Sequence, residues 1–226
     1  MTMLRALTIR RCFTFALLAG VAGLAGLAPA NALDCAALRD TNVPFEIKLD
    51  RKIAFAGQEP AQAQGHLQVL RHEVGSTTYQ FFSTDAWFRA HYAVNGFPDA
   101  FFTSKEGTSV ALAYTPAPTN AMFADEKPLA FHVTLTRHDG QIVAEQDHEI
   151  TFFDHREITL AGCSFAVVRA VRKILGTVND QRSESETEFF YAPALRTSLY
   201  LKTTVPDGPV QTYTALDISL EFKPVE

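Results

Sequence analysis

The feature that most constrains this chain is an alternation of apolar and polar residues, repeated over many short segments. Residues 45–49, 131–136 and 212–222 each place apolar side chains at about every second position. Adjacent residues of a strand face opposite sides, so this period predicts half-buried β-strands. Gly, Pro, Asn or Asp bounds nearly every such segment, and no long segment keeps a helical period. The sequence therefore predicts an all-β, antiparallel meander of about ten strands.

The N-terminal segment is typical of a bacterial secretory signal peptide. Arg5, Arg10 and Arg11 precede an uncharged apolar run over residues 13–27, and the small residues Ala30 and Ala32 follow. This layout predicts cleavage after Ala32 and leaves residues 33–226 as a single β domain. A transmembrane anchor is the alternative, but the run is shorter than the roughly 20 residues that a span needs.

The export route and compartment follow from the same segment. Arg10 and Arg11 match a twin-arginine signal only in part, because Ile9 and Thr14 depart from it. We therefore expect general secretory export to the periplasm. Removing three arginines and no acid would take the formal charge from −5 to −8. An acidic chain is a poor ligand for nucleic acid or anionic lipid surfaces, and no later stretch is apolar enough for stable membrane insertion.

Two cysteines remain once the signal is removed. Cys12 leaves with the signal, so Cys35 and Cys163 are left in an oxidising compartment. The simplest expectation is one disulfide between them. A redox pair or a metal-thiolate site is the alternative, which the absence of a Cys-x-x-Cys motif makes less attractive.

Phenylalanine doublets are the most unusual pattern in the predicted strands. They occur at residues 81–82, 101–102, 152–153 and 189–190. Neighbouring side chains of a strand point to opposite faces, so each doublet needs apolar cover on both sides. Either a curved sheet packs on itself, or one ring of each pair lines a groove for a lipid-like ligand. The candidate liners are Phe81, Trp87, Phe101, Phe102, Phe152 and Phe189.

The segment over residues 158–222 resembles the DUF3108-like group of exported bacterial β proteins. The shared features are a strand with a Gly162 turn, the valine-rich run over residues 165–168, Tyr191-Ala192-Pro193 and Lys202. The chain departs from the pattern at residues 195–197 and adds Cys163 to the turn. The resemblance implies a curved antiparallel sheet, similar to the half-barrel of periplasmic lipoprotein carriers, and it implies no catalytic residue.

No set of residues in the sequence predicts a reaction. The seven histidines form no His-Glu-x-x-His or His-x-His motif, so we expect no metal and no cofactor. The leading hypothesis is a periplasmic, non-enzymatic protein that binds an apolar or acyl-bearing ligand on the concave face of a half-barrel. Two alternatives stay open: an envelope scaffold that contacts a protein partner, and a hydrolase with an unrecognised site.

Overall fold

The computed structural model describes residues 33–40, 42–73, 76–83, 87–94, 96–102, 109–178 and 181–223. The predicted signal peptide and its cleavage site lie outside these residues. The described part forms two short helices, α1 (Cys35–Arg39) and α2 (Met122–Asp125). Its strands are β1 (Phe45–Ala54), β2 (Ala61–Glu73), β3 (Ser76–Ser83), β4 (Trp87–Tyr92), β5 (Ala100–Phe102), β6 (Ser109–Thr115), β7 (Leu129–Arg137), β8 (Ile142–Leu160), β9 (Cys163–Val178), β10 (Gln181–Ala192), β11 (Thr197–Thr204) and β12 (Val210–Ser219).

These strands form one closed antiparallel barrel. Each strand pairs with the next along the chain, and β12 pairs back onto β1, from Glu46 opposite Ser219 to Ala54 opposite Val210. The all-β, antiparallel prediction is confirmed, but the predicted half-barrel or open curved sheet is wrong. An open sheet would leave the backbone groups of β1 and β12 unpaired at its two edges, and closure satisfies them.

The two longest strands are β8 and β9. The valine-rich run over residues 165–168 lies in β9. The strand β8 runs from Ile142 to Leu160, and its pairing with β9 shifts at a bulge between Phe152 and His155.

The helix α1 packs over one end of the barrel. The Asp34 carboxylate accepts hydrogen bonds from the backbone N–H groups of Ala36 and Ala37, which is a standard N-cap. The side chain of Leu38 is fully buried in the core. Cys35 is bonded to Cys163 at the start of β9, with 5.5 Å between the two Cα atoms, as the sequence predicts. The disulfide therefore fixes α1 to the turn between β8 and β9.

The core has two parts inside the barrel. One surrounds Leu38 and includes Phe45, Phe165 and Leu199. The other surrounds Phe123 of α2, which lies in the long connection between β6 and β7. The structure places Phe123 among the aromatic rings of the second core part, so α2 fills part of the barrel interior.

Gly96 allows Phe123 to take this position. Its φ is +82°, and a Cβ atom there would lie 2.2 Å from Cε2 of Phe123. Gly140 is a matched control, because its φ is +85° and nothing lies within 4 Å of its hypothetical Cβ. We expect Gly96→Ala to lower the free energy of unfolding by about 1–3 kcal/mol more than Gly140→Ala, through overpacking. Urea denaturation measures both, and equal losses would contradict a role for the Phe123 contact.

Candidate functional site

A cavity of about 310 Å³ lies inside the barrel, between the two parts of the core. Its walls are mainly the aromatic and aliphatic side chains of β1–β4 on one side and of β8–β12 on the other. Thr187, Thr197 and Ser198 add hydroxyl groups, and Arg172 and Arg196 are its charged residues. Among the described residues that line the cavity, none is an Asp or Glu. The site is therefore an apolar chamber with a cationic component.

The wall formed by β1–β4 is a set of cross-strand aromatic contacts. Phe81 on β3 lies opposite Phe88 on β4, and their rings stack with centroids 5.1 Å apart. Phe81 also meets the Tyr213 ring edge-on at 5.6 Å, which connects β3 to β12 across the interior. Gly65 on β2 makes room for this, since a Cβ atom there would lie 2.7 Å from the Phe81 ring. The position of Phe81 is thus set from three sides.

The opposite wall depends on α2. The Phe123 ring lies 4.6 Å from the Tyr191 ring and 6.3 Å from the Phe189 ring, measured between centroids. Both partners belong to β10, and all three residues line the cavity. The connection between β6 and β7 therefore contributes a wall of the chamber.

Two of the six predicted liners line this cavity. Phe81 and Phe189 do so, on opposite walls. Phe152 instead packs edge-on against Phe123 at 5.4 Å within the second core part. The other three, Trp87, Phe101 and Phe102, are half-buried on β4 and β5 and do not line the cavity. Ligand binding by any of the six stays a prediction.

Three of the four doublets have their second rings on the outside of the barrel, and each of these rings has a covering side chain. Phe82 stacks on His66 at 5.0 Å, and Phe190 stacks on Tyr200 at 4.9 Å. The guanidinium of Arg169 lies 4.9 Å from the centre of the Phe153 ring. Local ring stacking and cation–π contacts thus cover these outer rings without a second layer of structure.

Arg172 is the residue of this site that the sequence interpretation did not single out. It lies on β9 opposite Ile150 of β8 and Thr187 of β10, and it lines the cavity. Its Nε is buried and has no hydrogen-bond partner. The alternation of β9 could have identified it, because Arg172 lies two and four positions after the buried Ala170 and Val168 and therefore on the same face of the strand.

The neighbouring cations of β9 behave differently. Arg169 Nε donates a 2.6 Å hydrogen bond to Glu188 Oε1, and Lys173 Nζ lies 3.9 Å from Glu186 Oε2. In the part of the chain that the structure describes, Arg172 forms no such ion pair. The strand therefore pairs its outward cations with acids and leaves its inward one without an acid.

The titrating groups around Arg172 are held in their neutral forms. Burial raises the pKa of Tyr92 to about 12, although the charge of Arg172 opposes the shift. Burial also raises the pKa of Tyr114. Burial first, and Arg172 second, lower the pKa of His148 to about 4. At neutral pH the interior thus presents a cation among uncharged groups, which suits an apolar molecule that is neutral or negative.

The described residues contain neither a metal-binding cluster nor a membrane-spanning helix. Over the described ranges, no three His, Cys, Asp or Glu side chains converge as a metal would require. Within those ranges, neither helix has the length and apolarity to cross a bilayer.

No family model and no curated protein matches the chain, so its resemblance to the DUF3108-like group is not confirmed. Among solved structures, it is similar to the hypothetical lipoprotein YmcC from Escherichia coli (K12), with 11% identity and a TM-score of 0.45 over 86% of this chain and 92% of that one. A putative exported protein with a YmcC-like fold from Bacteroides fragilis gives 10% identity and 0.45 over 77% and 95%. A putative lipoprotein from Parabacteroides distasonis gives 9% and 0.37 over 76% and 95%. Likenesses this low carry no argument about function.

Proposed function

We propose that this protein is a non-enzymatic protein of the bacterial envelope that holds one apolar or acyl-bearing small molecule inside its barrel. The observation that carries the proposal is the partly open cavity of about 310 Å³ with mainly aromatic and aliphatic walls. Small-molecule sites typically combine such walls with a few polar groups, at volumes upward of roughly 300 Å³. The chamber has both properties.

The closed barrel also favours this proposal over a binding groove on an open sheet. A closed sheet has no free edge, so it offers no row of unpaired backbone groups to a protein partner. Its interior instead gathers apolar side chains, against which burial of an apolar ligand is favourable. A scaffold role would have to use the outer surface or the loops.

Native mass spectrometry of the gently purified protein tests the proposal. We expect an extra mass of lipid size that is lost on denaturation, or uptake of one dodecanol or dodecanoate molecule by the apo protein. Leu67→Trp puts a bulky ring into the chamber and should weaken uptake at least about tenfold, since overfilling displaces the ligand. Leu216→Trp is the control, because Leu216 is exposed on β12.

A clean apo mass with no uptake of either probe would overturn the proposal. The alternatives would then be a scaffold, tested by capture of a protein partner, and a hydrolase, tested by a generic esterase screen. Equal uptake by wild type and a folded Leu67→Trp variant would place binding outside the chamber.

A further inference from the structure

We infer that the ligand is a single-chain anionic amphiphile, whose carboxylate or phosphate pairs with the guanidinium of Arg172 while its chain fills the aromatic chamber. This inference rests on the proposed function and names its ligand class. Three observations carry it: the charge of the cavity, the state of Arg172 and the size of the chamber.

The charged residues that line the cavity are all positive. Its described lining includes Arg172 and Arg196 and no carboxylate. The chain itself is acidic, with a formal charge of −5. A cationic interior in an acidic protein is not a consequence of average composition. It gives a negative headgroup an ionic partner inside the barrel and, among the described lining residues, gives a positive headgroup no carboxylate.

The surroundings of the Arg172 guanidinium indicate what kind of group would bind it. A partly buried guanidinium that lacks an acid partner loses hydration without an ion pair to compensate. Its Nε is buried and unbonded, although the outward cations of the same strand, Arg169 and Lys173, have acids. Arg is the side chain whose planar donors match carboxylate and phosphate oxygens. The barrel thus keeps an oxyanion donor on Arg172 at an energetic cost.

The surroundings of Arg172 can support such a headgroup. Tyr92 also lines the cavity and keeps its proton, since burial raises its pKa to about 12. The Thr187 side chain lies opposite Arg172 in the register of β10. The Tyr92 hydroxyl is a neutral donor beside the cation, and the Thr187 hydroxyl shares a 3.0 Å hydrogen bond with the hydroxyl of Thr203. Arg196 lies in the turn before β11, and its backbone carbonyl already accepts a hydrogen bond from the Tyr79 hydroxyl. Arg172 is the better headgroup partner, because its Nε is buried without a hydrogen-bond partner and no described side-chain nitrogen of Arg196 is in that state.

The size of the chamber limits the apolar part of the ligand. At about 310 Å³ it lies at the lower end of known ligand sites, which extend to about 1,000 Å³. One acyl chain suits this volume better than the two chains of a phospholipid. The geometry points to a fatty-acid-like or monoalkyl phosphate ligand.

Isothermal titration at pH 8 with matched twelve-carbon probes tests the inference. The probes are dodecanoate, dodecyl phosphate, dodecanol and dodecyltrimethylammonium, and the protein is the oxidised full domain as purified. We expect wild type to bind both anions at least about tenfold more tightly than dodecanol. Dodecyltrimethylammonium should bind most weakly. A preference between the two anions identifies the acid group as a carboxylate or a phosphate.

Variants of β9 assign the effect to one residue. Arg172→Met should remove the preference for anions while dodecanol still binds, and Arg172→Lys should keep part of it. Lys173→Met makes the same charge change at the next position, on the outer face, and should change nothing. Thermal unfolding should show that Arg172→Met is no less stable than wild type, because it replaces a partly buried cation that has no acid partner by an apolar chain.

The outcomes separate the inference from the proposed function. If no probe binds, the proposed function fails and the inference with it. If dodecanol binds wild type as tightly as the anions, the chamber is an apolar site and the inference alone is wrong. A marked loss of thermal stability in Arg172→Met, with all probes weakened alike, would make Arg172 a structural residue. Loss of anion preference in Arg196→Met but not in Arg172→Met would also overturn the assignment.

Discussion

Reducing the bond between Cys35 and Cys163 should lower the free energy of unfolding by about 4–5 kcal/mol. The bond closes a loop between residues that are 128 positions apart, and the chain-entropy model gives a loss of this size for such a loop. Single domains have only about 5–15 kcal/mol in total. Urea denaturation of one preparation, with and without a reductant, measures the difference. Reduction should also loosen the start of α1, because the bond is its covalent link to β9, while the buried Leu38 and the chain into β1 still hold its other end.

The double variant Cys35→Ser/Cys163→Ser separates the covalent effect from thiol chemistry. It should be about as unstable as the reduced wild type and insensitive to reductant. A shift of less than about 1 kcal/mol on reduction would contradict the expectation. Titration of the unfolded, unreduced protein should find no reactive thiol from Cys35 or Cys163, and two reactive thiols would show that the bond does not form.

Acidification should destabilise the barrel through His148. Burial, followed by the charge of Arg172, lowers the pKa of this imidazole from 6.5 to about 4 in the folded protein. The unfolded chain binds the proton near pH 6.5, so the stabilising contribution is complete above that pH and is lost as the pH falls towards 4. The shift corresponds to about 3 kcal/mol. Chemical denaturation at a series of pH values between 7 and 4 measures the loss.

The groups that face His148 support the expected loss of stability on acidification. Its Nε2 lies 3.0 Å from Oε1 of Gln146, a neutral partner, and Arg172 opposes protonation from β9. Asp147 on the outer face has the opposite but smaller effect. His148→Gln should flatten the slope of stability against pH in this range. His132→Gln is the control, because that imidazole is about half exposed. Equal slopes for wild type and His148→Gln would contradict the assignment.

The strands were predictable because their information is local. Alternation at residues 45–49 or 131–136 records which face is buried, and turn residues record where each strand ends. The pairing of β1 with β12 is not local. Glu46 and Ser219 meet across nearly the whole domain, and their alternation is satisfied equally well by an open sheet. Closure of the barrel therefore could not be derived from the same patterns that predicted its strands.

The site was predictable only in part for a related reason. Periodicity shows that a Phe doublet has one ring on each face, but it does not show which ring faces inward. Phe81 faces the chamber and Phe82 faces His66, and the choice depends on register with β2. Arg172 was harder to assign, because a cation in a strand usually marks the outer face. Only the pairing of β9 on both sides places it inside.

The pairing of β12 with β1 has a consequence for how the molecule comes into being. β12 is the last strand in chain order, so no earlier stage of synthesis or translocation can seal the barrel. Until then the wall has a gap between β1 and β11 as wide as one strand, and the aromatic chamber is open along its length. A long apolar molecule could enter sideways during this interval without passing an end of the finished barrel.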